Sequence, residues 1–312
     1  MQRRRFLGIS ALTLAAAARP AAAVAQAQQE KRSRLVLLGT KGGPRVGGAG
    51  RSNPANLLVV DGVPYVVDCG YGVSRQLVRA GVPLNTLRYI FFTHLHSDHV
   101  LEYGPLLYNG WATGLKQPVD VYGPPPIEEA TEAFMRSMRF DIETRIGDEG
   151  KPDLRKLAVA HEIAGDGEVF RNDSVRVTAM RVKHPPIRDA YALRFDCPDR
   201  AIVFSGDTAY LPKLAGFSRG ADVLVHEVMY LPGIDALIKR VPNAATLREH
   251  LLASHTLTED VGRIAQAAGV QTLVLSHFVP GDDASITDEM WAEGVRRHFG
   301  GRIVVGADLM EL

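Results

Sequence analysis

Four potential metal ligands lie close together in this sequence, directly after an apolar run. The segment YIFFTHLHSDH places His94, His96, Asp98 and His99 within six residues. Residues two apart in an extended segment project to the same side, and a turn after them would aim the next pair at a neighbouring point. Zinc prefers imidazole and carboxylate ligands, and a hydrolytic site leaves one position open for water. The segment therefore predicts a metal site whose four ligands could divide between two ions.

Three further polar residues each end an apolar run that is typical of a strand. His184 ends VTAMRVKH, Asp207 ends AIVFSGD, and His277 ends TLVLSH. Pro185 holds the residue before it extended, and Gly206 permits a tight turn. An aspartate after a strand is often only a turn residue. Together, however, these three side chains supply the further ligands that a two-metal site needs.

Apolar segments rich in Val, Ile and Leu recur in two groups along the chain. The first group is RLVLLGT, NLLVVDG, VPYVVDCG, YIFFTH and VDVYG, and the second is SVRVTAMRV, AYALRF, AIVFSGD, DVLVHE, TLVLSH and RIVVGADL. Helical periodicity separates them, in GVSRQLVRAG, PIEEATEAFMRSM, TLTEDVGRIAQAAG and TDEMWAEGVRRHF. This pattern predicts one domain of two stacked sheets with helices outside. The polar segment 141–173 is predicted to be a surface excursion.

The N-terminus has the character of a targeting segment. It begins MQRRRFLGISALTLAAAA, and its apolar stretch is shorter than the roughly 20 residues that span a membrane. Its RRRFL start resembles a twin-arginine export signal, and A-x-A sequences suited to cleavage follow. We predict that residues 1–27 are a cleaved signal peptide recognised by the twin-arginine machinery. Residues 28–312 would then form the mature domain, without a membrane span and located in the periplasm.

The charge of the predicted mature chain bears on its partners. Without residues 1–27 the chain has 32 basic and 35 acidic residues, a net charge of about −3. Proteins that bind phosphate backbones usually carry a basic surplus. The composition therefore favours a small-molecule substrate over nucleic acid, and it leaves a homodimer open.

No disulfide is expected from the two cysteines. Cys69 lies in the apolar run VPYVVDCG, where a buried free thiol is the ordinary reading. The twin-arginine machinery exports folded proteins, so a disulfide between Cys69 and Cys197 could form only if the two thiols were already adjacent.

These motifs resemble those of the metallo-β-lactamase-fold hydrolases, in the branch that includes ribonuclease Z and zinc-dependent arylsulfatases. The resemblance rests on THLHSDH, KHPP, FSGDT and LSHF in that order, with LLGTKGGP and NLLVVDGVPYVVDCG before them. It covers the chain from Leu35 to the C-terminus. It implies an α/β protein with a four-layer αββα sandwich and a site at one edge of both sheets.

The resemblance also implies how the ligands divide between two zinc ions. One ion would be held by His94, His96 and His184, the other by Asp98, His99 and His277, and Asp207 would bridge them. Iron or manganese can occupy such ligand sets as well. The ions would lower the pKa of a bridging water toward about 7, and the hydroxide would attack an ester. Because histidine ligands must be neutral, activity is expected to fall below about pH 6.

Residues in HEVMY and SHTLTED extend the implied site. His255 is a candidate proton donor or contact for the substrate's anionic group, and Glu227 is a candidate partner that orients it. His226 is a candidate substrate contact, and Asp98 is a catalytic candidate besides being a ligand. A structural histidine or a helix cap is the alternative for the residues that are not ligands. The remaining histidines receive no role.

Several substrates are compatible with this chemistry. By analogy with the arylsulfatases, the first expectation is a sulfate ester, with a cyclic nucleotide, another small phosphodiester or a lactone as alternatives. A tRNA-processing nuclease is disfavoured by the export signal, by the charge, and by the lack of a basic Gly-Pro-rich insertion between Gly123 and His184. A non-catalytic metal-binding protein is disfavoured because all seven ligand positions are filled.

Apolar residues that follow the motif have two readings. They either line a pocket for an aryl leaving group or belong to the core. They are Tyr103, Leu106, Leu107, Tyr108 and Trp111.

Overall fold

Two seven-stranded sheets form the centre of the protein. The computed structural model describes residues 32–46, 50–242 and 244–312, so the predicted signal peptide at 1–27 lies outside the described residues. The first sheet has the order β14-β1-β2-β3-β4-β5-β6. Its strands are β1 (Ser33–Gly39), β2 (Ala55–Val60), β3 (Val63–Val67), β4 (Tyr89–Phe91), β5 (Val119–Gly123), β6 (Ala158–Glu162) and β14 (Met310–Glu311).

The second sheet has the order β13-β12-β11-β10-β9-β8-β7. Its strands are β7 (Gly167–Arg171), β8 (Arg176–Arg181), β9 (Tyr191–Asp196), β10 (Ala201–Phe204), β11 (Val223–Met229), β12 (Thr272–Val279) and β13 (Arg302–Val305). Strands β10 to β13 run parallel to one another, and β8 runs in their direction because two antiparallel pairings separate it from β10. The carboxyl ends of β8, β10 and β12 therefore meet at one edge, where ligands gather in sheets of this kind.

Helices cover the outer face of each sheet. They are α1 (Val73–Arg79), α2 (Ser97–Val100), α3 (Tyr103–Ala112), α4 (Ile127–Ser137), α5 (Arg139–Glu149), α6 (Lys213–Phe217), α7 (Leu231–Ile238), α8 (Ala244–Ser254), α9 (Thr258–Ala268) and α10 (Asp288–Arg296). Among the described residues, none of these helices combines the length and apolar character needed to cross a bilayer.

Three buried clusters show the layers. Leu35 and Phe91 of the first sheet pack with Phe195 of the second in the layer between the sheets. Trp111 of α3 belongs to the cluster outside the first sheet, and Trp291 of α10 to the one outside the second. The predicted four-layer αββα sandwich is confirmed.

The segment 141–173 lies largely at the surface, as predicted, but it forms regular secondary structure that the sequence did not predict. It contains most of α5 together with the edge strands β6 and β7. Helix α5 buries only Ile142, so it lacks the apolar face by which a helix is recognised in a sequence. Ion pairs of Arg145 with Asp141 and Glu149 stabilise its exposed side. The strands β6 and β7 are half exposed and so lack the apolar run of a central strand.

Asp308 fixes the loop between β1 and β2 against the body. Its carboxylate accepts hydrogen bonds from Thr40 N at 3.1 Å, Thr40 Oγ1 at 2.9 Å and Ser52 N at 2.6 Å. Gln76 of α1 donates to the same carboxylate at 3.2 Å. Both ends of the described part of this loop are therefore anchored at one charged group, beside the edge where the strands end.

Candidate metal centre

Three histidine nitrogens converge on one point at the edge of the sheets. His94 and His96 follow β4, and His184 follows β8. The Nδ1 atom of His96 lies 3.0 Å from Nε2 of His94 and 3.0 Å from Nε2 of His184. Ligands around one tetrahedral zinc ion with bonds near 2.05 Å lie about 3.3 Å apart. His94 and His96 therefore project to the same side, as predicted, and the three nitrogens are about as far apart as the ligands of one zinc ion.

A second group lies beside the first. His99 and Asp98, in α2, meet His277 of β12. The Oδ2 atom of Asp98 lies 3.7 Å from Nε2 of His99 and 3.5 Å from Nε2 of His277. All three side chains are buried. This set combines two imidazoles with one carboxylate, which also suits a divalent metal.

Asp207 lies between the two groups. Its Oδ2 atom is 3.9 Å from Nε2 of both His94 and His184, and 3.1 Å from Nε2 of His277. Its Oδ1 atom is 3.5 Å from Nε2 of His99. One buried carboxylate thus contacts histidines of both groups, as a bridging ligand would.

The backbone around two of these residues is unusual. Gly206 has a φ of +58°, and a Cβ there would lie 2.6 Å from the carbonyl oxygen of Tyr191, so only glycine allows the turn that presents Asp207. His277 does not end its strand as predicted, because β12 continues to Val279. It occupies a bulge in the pairing with β11 at a φ of +45°, and such bulges re-aim side chains.

The loop after β1 packs against the second group. A Cβ at Gly42 would lie 2.7 Å from the ring of His277, so the backbone lies directly on that imidazole. The next residue, Gly43, donates its backbone N–H to Oδ2 of Asp98 at 2.9 Å. This loop therefore restrains two of the candidate ligands.

Asp68, at the end of β3, orients ligands and was not singled out in the sequence. Its Oδ2 atom accepts a hydrogen bond from Nδ1 of His99 at 2.9 Å, and Thr93 N donates to Oδ1 at 2.9 Å. The Thr93 hydroxyl also contacts Nδ1 of His94 at 3.1 Å. A carboxylate that fixes the tautomer and ring of a metal-binding histidine is a common supporting group. The signal was present, since Asp68 also ends an apolar strand.

Ser254 orients His184 from the end of α8. Its carbonyl oxygen accepts from Nδ1 of His184 at 2.9 Å, which leaves Nε2 free to face the centre. His250, one turn earlier in α8, lies with its ring 6.5 Å from that of His184. The sequence predicts no role for His250, because it lies in a helical segment and does not end an apolar strand.

Glu227 and His255 are adjacent at the rim of the centre. The Oε2 atom of Glu227 lies 3.3 Å from Nδ1 of His255, and its Oε1 atom accepts from Thr256 N at 2.7 Å. The ring of His255 is 5.3 Å from that of His184 and 5.6 Å from that of His277. The structure thus brings this pair to the metal groups, as predicted.

His226 requires a correction. Its side chain is fully buried in β11, with Nδ1 bonded to the carbonyl oxygen of Glu227 at 2.6 Å. Because it has no exposed surface, it cannot contact a substrate, and we withdraw that role.

The apolar residues that follow the THLHSDH motif belong to the core. Tyr103, Leu106, Leu107 and Trp111 are buried, and Tyr108 packs against them. Cys69 and Cys197 are free thiols in the structure.

The two groups differ in protonation. Burial lowers the pKa of His94 and His96, and it lowers that of His184 to about 4. Burial would lower the pKa of His277 also, but Asp207 and Asp98 outweigh it and raise the value to about 10. Asp207 similarly outweighs burial at His99 and raises its pKa. The shifts of pKa therefore run in opposite directions: burial favours the neutral form of the first group, and the carboxylates favour the protonated form of His99 and His277.

Buried polar atoms without partners mark where ions fit. Among the described residues, Nε2 of His99, Nε2 of His277 and Oδ1 of Asp207 lie close to one another at the centre but make no hydrogen bond of good geometry. Unpaired buried polar atoms are costly, and a bound cation would satisfy all three. The donor set of imidazole and carboxylate groups suits a divalent metal.

Comparisons with known proteins agree with this geometry. A family model described as "Beta-lactamase superfamily domain" matches residues 64–278. Ribonuclease Z from Mycobacterium marinum is 31% identical over 278 residues, covering 88% of this chain and 96% of that protein. A metallo-beta-lactamase fold protein from Bacillus subtilis aligns with a TM-score of 0.67 at 20% identity, covering 90% and 98% of the two chains. The short form of human tRNase Z aligns with a TM-score of 0.64 at 20% identity, covering 89% and 98%.

Replacing Asp68 with asparagine should weaken metal binding at the second group. His99 would lose the carboxylate that orients it, and loss of such a partner commonly lowers affinity about 10–100-fold. Chelator-competition titration of the purified variant measures this. The matched control is Asp120→Asn, because Asp120 bonds His161 at 2.9 Å in a similar pair outside the centre. Equal affinities in Asp68→Asn and the unmodified protein would contradict the assigned role.

Metal loading should release protons unequally from the two groups. An ion at the first group meets neutral histidines and should release close to none at pH 7. An ion at the second group must displace the protons of His99 and His277, so it should release about two. Its affinity should therefore rise with pH from about 7 toward 10. Titration calorimetry in two buffers of different ionisation enthalpy counts these protons, and equal release from both steps would show the assignment to be wrong.

Proposed function

This chain belongs to the beta-lactamase superfamily, and from that premise we propose that it is a two-metal hydrolase that cleaves a phosphodiester bond in a small substrate. It is a metal-dependent hydrolase of ester or phosphodiester bonds; the number of ions and the substrate are what we propose. The observation that carries the proposal is Asp207, whose two oxygens contact histidines of both ligand groups.

We assign the ligands to two ions as the geometry groups them. One ion would be held by His94, His96 and His184, the second by Asp98, His99 and His277, with Asp207 shared. Zinc fits these nitrogen and oxygen donors best, and iron or manganese would be accommodated by the same set. When bound, the ions would supply an activated water and offset negative charge that develops on the ester.

The chain's own residues would position the reaction and move a proton. His255 would protonate the leaving oxygen, since its Nδ1 faces the Glu227 carboxylate at 3.3 Å and its Nε2 is left for a substrate. Glu227 is itself fixed by Thr256 N, so it acts as a positioning residue for His255. Asp98, held by Gly43, would act as a ligand and as an acceptor that orients water.

A phosphodiester replaces the sulfate ester as the expected substrate. Relatives that match 88% of this chain are named ribonuclease Z, and a ribonuclease cleaves phosphodiester bonds. These relatives make a nuclease a stronger candidate than the charge and the export signal alone indicated. The same centre could attack sulfur or a lactone carbonyl, so these esters belong in the test.

The charge of the chain favours a small phosphodiester over RNA. The described segment 124–183 has ten basic residues against twelve acidic ones, and it folds into helices and strands of the domain. A surface that grips RNA backbones needs a basic excess. We also propose that residues 1–27 direct export, which would separate the enzyme from cellular tRNA. A mature chain that retains residues 1–27 would contradict that proposal.

A parallel assay of metal-quantified protein tests the function. We expect turnover of bis-p-nitrophenyl phosphate that is lost in His96→Ala, because the first group would lose a central ligand. A nitrophenyl sulfate, a lactone, a cyclic nucleotide and a 3′-extended tRNA complete the panel. The control is His161→Ala, outside the centre. Turnover of the sulfate, the lactone or the tRNA alone would contradict the proposed substrate class.

Replacing His255 with alanine should affect poor leaving groups most. General acid catalysis typically contributes about 10²–10⁴-fold, and nitrophenolate leaves without a proton. We therefore expect a loss in that range for diphenyl phosphate and a loss below about tenfold for bis-p-nitrophenyl phosphate. His250→Ala, a histidine on the neighbouring helix, is the matched control. Equal losses on both substrates would mean that His255 binds the anion and donates no proton.

A further inference from the structure

Strand β6 leaves one edge of the first sheet unpaired. It is the last strand of that sheet, and it pairs only with β5, in parallel. The carbonyl oxygen of Leu157 accepts from Val119 N at 2.7 Å, which fixes the peptide groups that face β5. Because peptide groups alternate in direction along a strand, those of Ala158, Ala160 and Glu162 face away from β5. Among the described residues, no backbone group bonds to these three.

An open groove runs beside this free edge. It has a volume of about 660 Å³ and lies between β6, helix α4 and the turn that precedes β6. On the strand it is lined by Ala158, Val159 and Ala160, which are half-buried or exposed. The methyl groups of the two alanines are too short to shield the backbone. A free edge is a template for a further strand unless bulk, charge or another element protects it.

The charges along the groove are segregated. Helix α4 begins shortly after Gly123, the residue of β5 that pairs with Glu162 at the carboxyl end of β6. The helix then returns toward the amino end of the strand. Two carboxylates of its first half line one end of the groove and four cations line the other: Glu128 and Glu132 against Arg136, Arg139, Arg155 and Lys156. The acidic end therefore coincides with the carboxyl end of β6, and the basic end with its amino end.

Two of the charges that flank the edge are free to pair. Lys156 directly precedes the strand, and Glu162 ends it. Both are exposed, and neither forms an ion pair with another residue in the described part of the chain. Arg155, in contrast, is already paired with Asp153 at 2.7 Å and Glu143 at 3.4 Å. One unpaired cation and one unpaired anion therefore stand at opposite ends of the free edge.

A second copy of the chain, related by a twofold axis, complements this pattern. Antiparallel pairing of β6 with β6 about Val159 sets Ala158 opposite Ala160 and brings Lys156 near Glu162, twice by symmetry. The same rotation reverses α4, so its acidic half meets the basic half of the copy. An acidic peptide would complement the basic end alone and would meet like charges at the other end. The charges therefore favour the copy.

We propose that β6 pairs antiparallel with β6 of a second copy, which joins the two first sheets into one continuous sheet. Strands β3 to β6 are parallel and point their carboxyl ends toward the metal-centre edge. Antiparallel pairing thus places the two centres at opposite edges of the joined sheet. Each chain keeps its own complete centre, so the inference goes beyond the proposed function and does not depend on it.

A cysteine at the twofold axis tests the register. Facing residues of an antiparallel pair without mutual hydrogen bonds have Cα atoms about 4.5 Å apart, which a disulfide can bridge. We expect oxidised Val159→Cys to form a covalent dimer on a non-reducing gel, above the background of the unmodified protein. The matched control is Ala160→Cys, because its copy is displaced roughly 7 Å along the strand, beyond such a bridge. No dimer in Val159→Cys, or equal dimer in both variants, would overturn the proposal.

A charge exchange tests the interface without cysteines. We expect metal-loaded protein to sediment as a dimer whose fraction rises with concentration. Lys156→Glu and Glu162→Lys should each weaken dimerisation at least about tenfold, since each sets like charges opposite one another. The double variant restores opposite charges and should recover the dimer. A monomer at every concentration, or a double variant as weak as the single ones, would contradict the interface.

Turnover separates this inference from the proposed function. Lys156→Glu leaves every candidate ligand in place, so its turnover of bis-p-nitrophenyl phosphate per chain should equal that of the unmodified protein. A loss of turnover on dissociation would overturn the placement of the centres at opposite edges. A dimer that cleaves no phosphodiester would retain the interface and lose the substrate class. A monomer that cleaves phosphodiesters would retain the function and lose the interface.

Discussion

The contact of the Asp207 carboxylate with four histidines is the interaction on which the centre depends. A buried carboxylate is costly unless cations or hydrogen bonds compensate it. In the metal-free protein His277 and His99 supply that compensation, and they hold the pKa of Asp207 well below its usual range despite burial. A divalent ion would replace their protons at the same place.

This arrangement extends outward through groups from separate parts of the fold. Asp68 of the first sheet orients His99, the end of α8 orients His184, and the loop after β1 holds Asp98. Asp308, beyond β13, anchors that loop in turn. Because these three ligands are each fixed by a partner on another element, the geometry of the centre depends on the whole sandwich. The four layers must be aligned for the seven side chains to meet.

Much of this was predictable from the sequence, for a specific physical reason. A polar residue that ends an apolar strand is conspicuous, and His184 and Asp207 were found in that way. Asp68 also ends an apolar strand, but the interpretation of that segment considered only the thiol of the neighbouring Cys69. The role of Ser254 arises from the packing of a helix end against a strand end, which no local pattern encodes. The half-exposed edge strands β6 and β7 escaped prediction because they lack an apolar run.

The candidate ligands and the helix that supports them come from different parts of the fold. The candidate ligands all lie at strand ends, in α2 or in the bulge of β12, and none lies on α7 or α8. Helix α8 instead supplies the carbonyl oxygen of Ser254, which accepts a hydrogen bond from Nδ1 of His184. His255 follows directly after the end of this helix. The packing of one helix end therefore sets the position of a candidate ligand and of the candidate proton donor.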